Sequence, residues 1–443
     1  MDYVTGTKQA PAPTRYDLMV GSAVGHGLLD EDRPLVSLLD LSAVRASARA
    51  LHEAFAEVAA QPQRIQHTFA VKAASLVPVL RQLNGLGIGC EVASPGELAL
   101  ARAAGVPAER IVLDSPAKTV AELEAALTQG IAVNVDNPQE LARIDSQRTA
   151  SAPTAPIGIR INPQLGAGSI DAMSTATATS KFGVALRDEG ARAWLLEAFA
   201  ARPWLNRLHC HTGSQGISLA RLVDGVRVTY ELAEEINAAA GRQQISTLDI
   251  GGGLPVNFDS DAVTPSHRDY AQLLAAEVPG LFDGRYGIVT EFGRSLLAKA
   301  GLLLARVEYT KYAGGRRIAV THAGVQVATR TVFAPESWPL RVAAYGSDGR
   351  RKTGPVIHQD VAGPACFAGD LIARDRALPA LEPGDLAALL DTGAYYASTP
   401  FGYNSLLRPA IYGFDLDAAG APHFTVIRRA QTIEELIAES GGN

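Results

Sequence analysis

Between residues 66 and 291 the sequence repeats one arrangement eight times: a short apolar run, then an alanine-rich amphipathic stretch. The runs fall around 66–71, 87–92, 110–114, 131–135, 156–161, 206–211, 246–250 and 286–291. Brief apolar runs alternating with segments of helical period predict parallel strands joined by helical crossovers. Eight such units in about 230 residues match an α/β fold, a (β/α)8 TIM barrel, in both number and size. A doubly wound sheet is the competing architecture, and it more often stops at about five to seven strands. Ahead of the first run, Leu41, Val44, Ala48, Leu51 and Phe55 recur at three- and four-residue steps and predict a helix over 40–60.

At 443 residues the chain is too long for one ordinary core, so two domains are expected. From residue 302 the helical period gives way to β-rich runs broken by Gly and Pro, at 302–309, 318–320, 340–344, 356–359, 386–390 and 423–428. The division this predicts is an N-terminal segment 1–38, a barrel 39–298 and a C-terminal mostly-β domain 299–443. The apolar run 35–39 needs a sheet to pair with, and the β domain supplies one. Two connections stand out. Residues 146–156 fall before a strand, as a surface connection would. Residues 163–179, rich in Ser and Thr, follow a strand and are either a lid over the barrel mouth or a surface loop.

A hydrophobic share of 47% with 19% charged residues excludes disordered and fibrous classes. The net charge of −6 argues against a nucleic-acid surface and a polybasic membrane anchor. Cys90, Cys210 and Cys366 are widely spaced and form no CxxC pair, so neither a disulfide framework nor a zinc site is expected. No apolar run follows a basic start within residues 1–15, and a cytoplasmic enzyme is the expectation.

Chemistry-bearing residues gather where the predicted strands end. The first run stops at Lys72, whose ammonium is costly to bury. Either the side chain snorkels to solvent, or desolvation lowers its pKa and frees the amine for Schiff-base chemistry. The sixth run ends in His209-Cys210-His211-Thr212-Gly213-Ser214, the seventh in Asp249-Ile250-Gly251-Gly252-Gly253, and the eighth in Glu291-Phe292-Gly293-Arg294. Barrel enzymes keep their chemistry at this rim. Each part has two readings. The glycines offer N–H groups to an anion or make a tight turn. Arg294 clamps a phosphate or pairs with Glu291 at the surface. His211 is catalytic or a core histidine, and its HxH spacing with His209 permits a metal but with no third ligand evident, so no metal is expected. Together a lysine amine, a phosphate seat, a carboxylate for a ring nitrogen and an imidazole able to stack are what pyridoxal 5'-phosphate requires.

These residues carry a resemblance that runs from about residue 35 to 412. Its motifs are Ala70-Val71-Lys72-Ala73, Val92-Ala93-Ser94 with Glu97, Arg160-Ile161-Asn162-Pro163, Ser180-Lys181-Phe182-Gly183, the 209–215 and 249–253 stretches, Glu291 with Gly293-Arg294, Gly363-Pro364 with Cys366, and Gly393-Ala394-Tyr395. The chain resembles the alanine-racemase-fold (fold type III) pyridoxal phosphate decarboxylases, nearest the diaminopimelate branch. The resemblance implies that Lys72 bonds the cofactor, His211 stacks on its ring, Glu291 meets the ring nitrogen, and Ser214, Gly251, Gly252, Gly253 and Arg294 hold the phosphate. It further implies that Cys366, as proton donor, and Tyr395, to the phosphate, belong to the β domain and reach a partner subunit's site, in a head-to-tail homodimer. Cys366 read alone is a small buried apolar residue.

The side-chain pocket departs from that family. Phe367 stands where an acidic residue would receive the substrate's distal amine, and an unpaired buried cation there would be strongly destabilised. Thr331 and Ala334 replace the Pro and Tyr of an Arg-Pro-x-x-Tyr element, leaving Arg330 either to hold a distal carboxylate or to remain solvated. Leu406-Leu407 replace an Arg-Pro pair, Glu91 replaces an aspartate and Phe292 a proline. The expectation is decarboxylation of a small-molecule amino acid with no free distal amine. A racemase, or other carbanion chemistry at the same lysine-bound cofactor, is one rival, and Glu291 opposes the racemase; a carrier without turnover is another, which Cys366 and Tyr395 oppose.

Overall fold

The computed structural model describes residues 14–148 and 155–442. The first thirteen residues, and with them most of the stretch read for a leader, lie outside the described residues, as does most of the 146–156 connection. The chain divides into two compact units.

One unit comprises Leu41–Ala300 together with Thr392–Thr399. Its strands are Ile65–Ala70, Gly89–Val92, Ile111–Leu113, Ala132–Val135, Ile157–Asn162, Leu205–Cys210, Thr247–Asp249 and Gly287–Phe292. Each pairs in parallel with the next, and the eighth closes on the first, Glu291 opposite Thr68. The sheet is therefore a closed barrel and not a doubly wound one. Polar caps start its helices: Ser94 before Pro95–Ala103, Thr119 before Val120–Gln129, Asn137 before Pro138–Gln147, Ser218 before Leu219–Ala240 and Ser266 before His267–Glu277. Each satisfies a backbone N–H that the helix cannot, contributing about 1 kcal/mol.

The other unit holds the described residues through Asp40, then Gly301–Asp391 and the chain from Pro400. Here Leu35–Asp40 lies between Gly301–Ala313, antiparallel, and Ala410–Leu416, parallel. The sheet continues outward through Arg316–Thr321, Val356–Ala362 and Leu371–Pro379 on one side and Pro422–Arg428 on the other. Leu386–Leu390 and Val342–Tyr345 branch from Gly301–Ala313. Met19 and Val20 of the helix Arg15–Gly25 join the core made by Leu38, Leu304 and Phe414. Among the described residues no helix is long and apolar enough to cross a membrane.

Candidate active site

The first barrel strand ends in a tight turn, Val71–Ala73. Ala70, Val71, Ala73 and Ala74 are buried, whereas the Lys72 side chain is 47% exposed. Lys72 Nζ donates to Glu91 Oε2 at 2.6 Å, and Glu91 is fully buried at the end of the second strand, where it pairs with Ala70 across the ladder. Burial works against the ammonium, and Glu91, helped by Tyr395 and Glu291, outweighs it, so Lys72 is held above the usual lysine range. Of the two readings of Lys72, a side chain snorkelling to solvent and an amine whose pKa desolvation lowers, the second does not hold. The neighbouring carboxylate reverses the direction.

The segment Thr392–Thr399 belts this turn. Tyr395 N–H donates to the Ala73 carbonyl at 2.6 Å, Ser398 Oγ to the Lys72 carbonyl at 2.7 Å, and Gly393 N–H to the Ala298 carbonyl at 3.1 Å. The Arg294 guanidinium lies 4.4 Å from the centre of the Tyr395 ring, within cation–π range. Tyr395 was expected in the β domain, serving a partner's site. It sits instead on the lysine turn of its own chain, because after the strand Leu386–Leu390 the backbone passes through positive φ at Asp391 and joins the barrel unit.

The glycine run proves to be a matter of close approach. A Cβ at Gly252 would lie 2.1 Å from the Glu291 carbonyl, and one at Gly253 1.9 Å from the Gly213 carbonyl. Only glycine lets the three strand ends converge so tightly. Gly252 N–H donates to His211 Nδ1 at 3.2 Å, which places the ring proton on Nε2. Burial and the charges of Arg160 and Lys72 push His211 well below the ordinary histidine range, so the imidazole is neutral. Ser214 is half-buried, its backbone N–H on the Met173 carbonyl at 3.0 Å. Residues 163–179 run along this stretch: Ser169 N–H meets the Gly216 carbonyl at 2.8 Å, and Ala176 N–H the Thr212 carbonyl at 3.2 Å. These bonds tie the loop to the end of the sixth strand.

Beneath lies a charge network. Arg160 donates to Asp114 at 2.8 Å, and His209 lies 3.6 Å from Asp114 and 3.4 Å from Glu291. Burial would raise Asp114, but Arg160 and His209 outweigh it and hold that acid well below the usual range. Glu291 goes the other way, raised well above it by burial and by Asp114 and Glu91. Its Oε1 is buried without a hydrogen-bond partner among the described residues. Asp114, His209 and Glu291 bring ligand atoms within 4.8 Å of one another, so His209 meets two carboxylates that its spacing from His211 did not reveal. The Arg160 cation already pairs with Asp114 within this cluster. Deeper in the barrel, Asp249 lies 3.3 Å from Arg207 and accepts from Asn134 at 3.1 Å, and burial with Glu291 nearby pushes it up to about 7.

In the β unit Cys366 is exposed at the tip of a loop. Asp370 anchors that loop, accepting from Ala365 N–H at 2.8 Å and Val325 N–H at 2.7 Å. A Cβ at Gly324 or Gly363 would meet its carboxylate at 2.4 and 2.3 Å, which accounts for both glycines. Cys366 N–H donates to Asn404 Oδ1 at 2.7 Å. Phe367 packs on other aromatic rings of this unit, and the Arg330 guanidinium lies 5.1 Å from the Trp338 ring centre. The structure thus gathers Lys72, His211, Ser214, Gly251, Gly252, Gly253, Glu291, Arg294 and Tyr395 in the barrel unit, and Cys366, Phe367 and Arg330 in the other. Sequence reasoning missed Ser398 altogether and noted Glu91 only as a departure. A carboxylate closing the strand next to a lysine-ended strand was the available signal.

Residues 41–298 match the family described as pyridoxal-dependent decarboxylase, pyridoxal binding domain. The chain is 32% identical over 397 residues to the diaminopimelate decarboxylase of Pseudomonas aeruginosa, covering 89% of this chain and 90% of that one. Against the enzyme of the same name from Neisseria meningitidis it is 31% identical, covering 84% and 85%. The Helicobacter pylori diaminopimelate decarboxylase, solved with L-lysine, superposes with a TM-score of 0.81 at 26% identity, covering 94% of this chain and 99% of that one. The donor set here fits the cofactor these descriptions name. A lysine amine, a buried acid with an oxygen unspent, a neutral imidazole and an arginine at the rim suit a flat aldehyde bearing a ring nitrogen and a phosphate.

Proposed function

Because the chain belongs to the pyridoxal-dependent decarboxylases, we propose that it decarboxylates an amino acid lacking a free distal ammonium, as a head-to-tail homodimer in the cytoplasm. Pyridoxal phosphate is the cofactor and amino-acid decarboxylation the reaction. The observation that carries the narrower substrate is Phe367. It follows Cys366 directly and turns a phenyl ring toward other rings, with no carboxylate of its own to receive an ammonium. A neutral, aromatic or acid-conjugated far end suits it better.

Bound at Lys72, the cofactor supplies an electron sink for the pair left at the α carbon as carbon dioxide departs. The protein's own groups do the rest. Lys72 would hold the cofactor and, once free, would take the proton given up by the substrate amine at Nζ, where Glu91, 2.6 Å away, would stabilise the charge. Glu291 offers Oε1 to the ring nitrogen, where its raised pKa lets it share a proton. His211, locked by Gly252, presents a neutral face to the ring. Ser214, the 251–253 backbone, Arg294 and Tyr395 bind the phosphate. Cys366 of the second subunit passes one proton from Sγ to the α carbon, and Arg330 meets any acidic group at the substrate's far end.

Carbon dioxide release from purified, cofactor-loaded protein, screened over L- and D-amino acids with Lys72→Ala as control, tests this reading. Lys72-dependent release from a substrate without a distal amine is the expected result. Efficient turnover of meso-diaminopimelate or ornithine would sink the pocket argument, and sedimentation of the active species as a monomer would sink the shared site.

A further inference from the structure

Four aromatic rings close a circuit beside Cys366. Phe333 ends the helix Val325–Phe333, Phe367 sits in the cysteine loop, Tyr403 begins the turn Tyr403–Ser405 whose Asn404 accepts from Cys366 N–H, and Phe401 precedes it. Phe333 and Phe367 are nearly parallel, 5.9 Å apart at 8°. Phe401 and Tyr403 form a second stacked pair, 6.1 Å apart at 28°. The two pairs meet edge to face twice, Phe333 on Phe401 at 75° and Phe367 on Tyr403 at 86°. Such alternation of stacked and edge-to-face contacts suits the quadrupoles of all four rings.

The set is nevertheless not buried: Phe333 is 58% and Tyr403 42% exposed. Contiguous exposed aromatic surface is unfavourable in water unless something covers it. What covers it follows from its connections. Tyr403 Oη donates to the Cys366 carbonyl at 3.4 Å and the adjacent Asn404 takes the Cys366 N–H at 2.7 Å, so the loop that presents the rings also positions the cysteine. Asn404 and Ser405 hold positive φ to do this, a local strain that fixes the loop's shape. Cys366 and the ring-bearing Phe367 are neighbours in this loop.

We propose that Phe333, Phe367, Phe401 and Tyr403 form the side-chain subsite, and that the substrate is an α-amino acid ending in an aromatic ring. The inference rests on the placement of Cys366 at the reacting carbon proposed above. A flat ring laid against the exposed edges of this set gains offset or edge-to-face contacts at about 4.5–7 Å between centres, which an alkyl ammonium does not.

The test is titration of the cofactor-loaded protein with D- and L-phenylalanine, tyrosine and tryptophan, and with leucine, lysine, meso-diaminopimelate and trimethyl-lysine. Affinity is read from the cofactor's visible absorbance, carbon dioxide release is followed in parallel, and sedimentation gives the oligomeric state. Aromatic amino acids should bind about tenfold more tightly than lysine, and Phe333→Ala should erase that margin. Phe333 is exposed and touches neither Cys366 nor a hydrogen bond to it, so the variant is expected to fold, which its melting curve checks. Phe401→Leu provides an independent second truncation. Aromatic binding that depends on Phe333 without carbon dioxide release would uphold the ring subsite and overturn the reaction. Preference for lysine, diaminopimelate or trimethyl-lysine, an unchanged ranking in both variants, or no response to any amino acid would overturn the subsite. So would dissociation of the dimer by Phe333→Ala with the ranking intact, which would mean that a second copy of the chain covers the rings.

Discussion

The barrel rim and the surface around Cys366 are held by different forces. In the barrel, buried carboxylates face cations: Glu91 meets the half-exposed Lys72, Asp114 meets the buried Arg160, and Asp249 lies beside Arg207. Removing Arg160 would strand the Asp114 charge in a medium that solvates it poorly, at a cost of about 3–5 kcal/mol. Around Cys366 the partners are half-exposed rings and backbone hydrogen bonds, where a substitution leaves no charge unpaired. The first region resists change and the second tolerates it.

The contrast can be broken by substitution on either side. Lys72→Ala should have the largest effect, lowering kcat by roughly 10⁴-fold or more and abolishing the cofactor's absorbance band, as steady-state rates and spectra would record. Cys366→Ala should come next, lowering kcat by about 10²–10⁴-fold with the band unaltered. A loss confined to KM would show that the β unit only selects. Glu91→Gln probes the compensation itself. Removing the carboxylate that raises Lys72 increases the share of neutral amine at pH 8, so capture of added cofactor by apoprotein should quicken by about tenfold, with its pH midpoint displaced downward. Slower capture would mean that Glu91 positions the amine more than it charges it.

The smallest effect concerns stability. His267 is buried, its Nε2 3.1 Å from Ser295 Oγ, and burial lowers its pKa from 6.5 to about 4. The unfolded chain therefore binds a proton that the folded barrel refuses between those two values. Stability from this group is full above pH 6.5 and is lost as pH falls toward 4, by on the order of 3 kcal/mol. His267→Gln should flatten that part of the acid unfolding curve, measured by denaturant titration at pH 7, 5.5 and 4.5. An unchanged slope would assign the acid sensitivity to other groups.

The barrel was legible because its strands are short, apolar and evenly spaced, and all eight fall within a few residues of where the period puts them. The β unit was less so. The strand Leu371–Pro379 carries Arg374, Asp375 and Arg376 at its centre, with Asp375 at positive φ beside a register shift, and this interrupts any apolar pattern. At the site, residue types pointed to the lysine, the imidazole and the acid. Their partners could not be read, since Glu91 meets Lys72 through strand pairing and Ser398 through more than 300 intervening residues. One motif meant less than it suggested: Ser94 caps a helix, accepting from Glu97 N–H, while Glu97 accepts from Ala93 N–H at 2.7 Å. The Gly251-Gly252-Gly253 run likewise serves packing of the backbone as much as any anion.

The belt of Thr392–Thr399 over the lysine turn has a consequence for the order of events as the protein is made. The strand that delivers Lys72 leaves the ribosome early, yet the hydrogen bonds on the Lys72 and Ala73 carbonyls wait for Ser398 and Tyr395. A nascent chain can close its barrel sheet long before that turn receives its last two donors. A barrel excised at residue 300 would carry the lysine without the belt that donates to its turn.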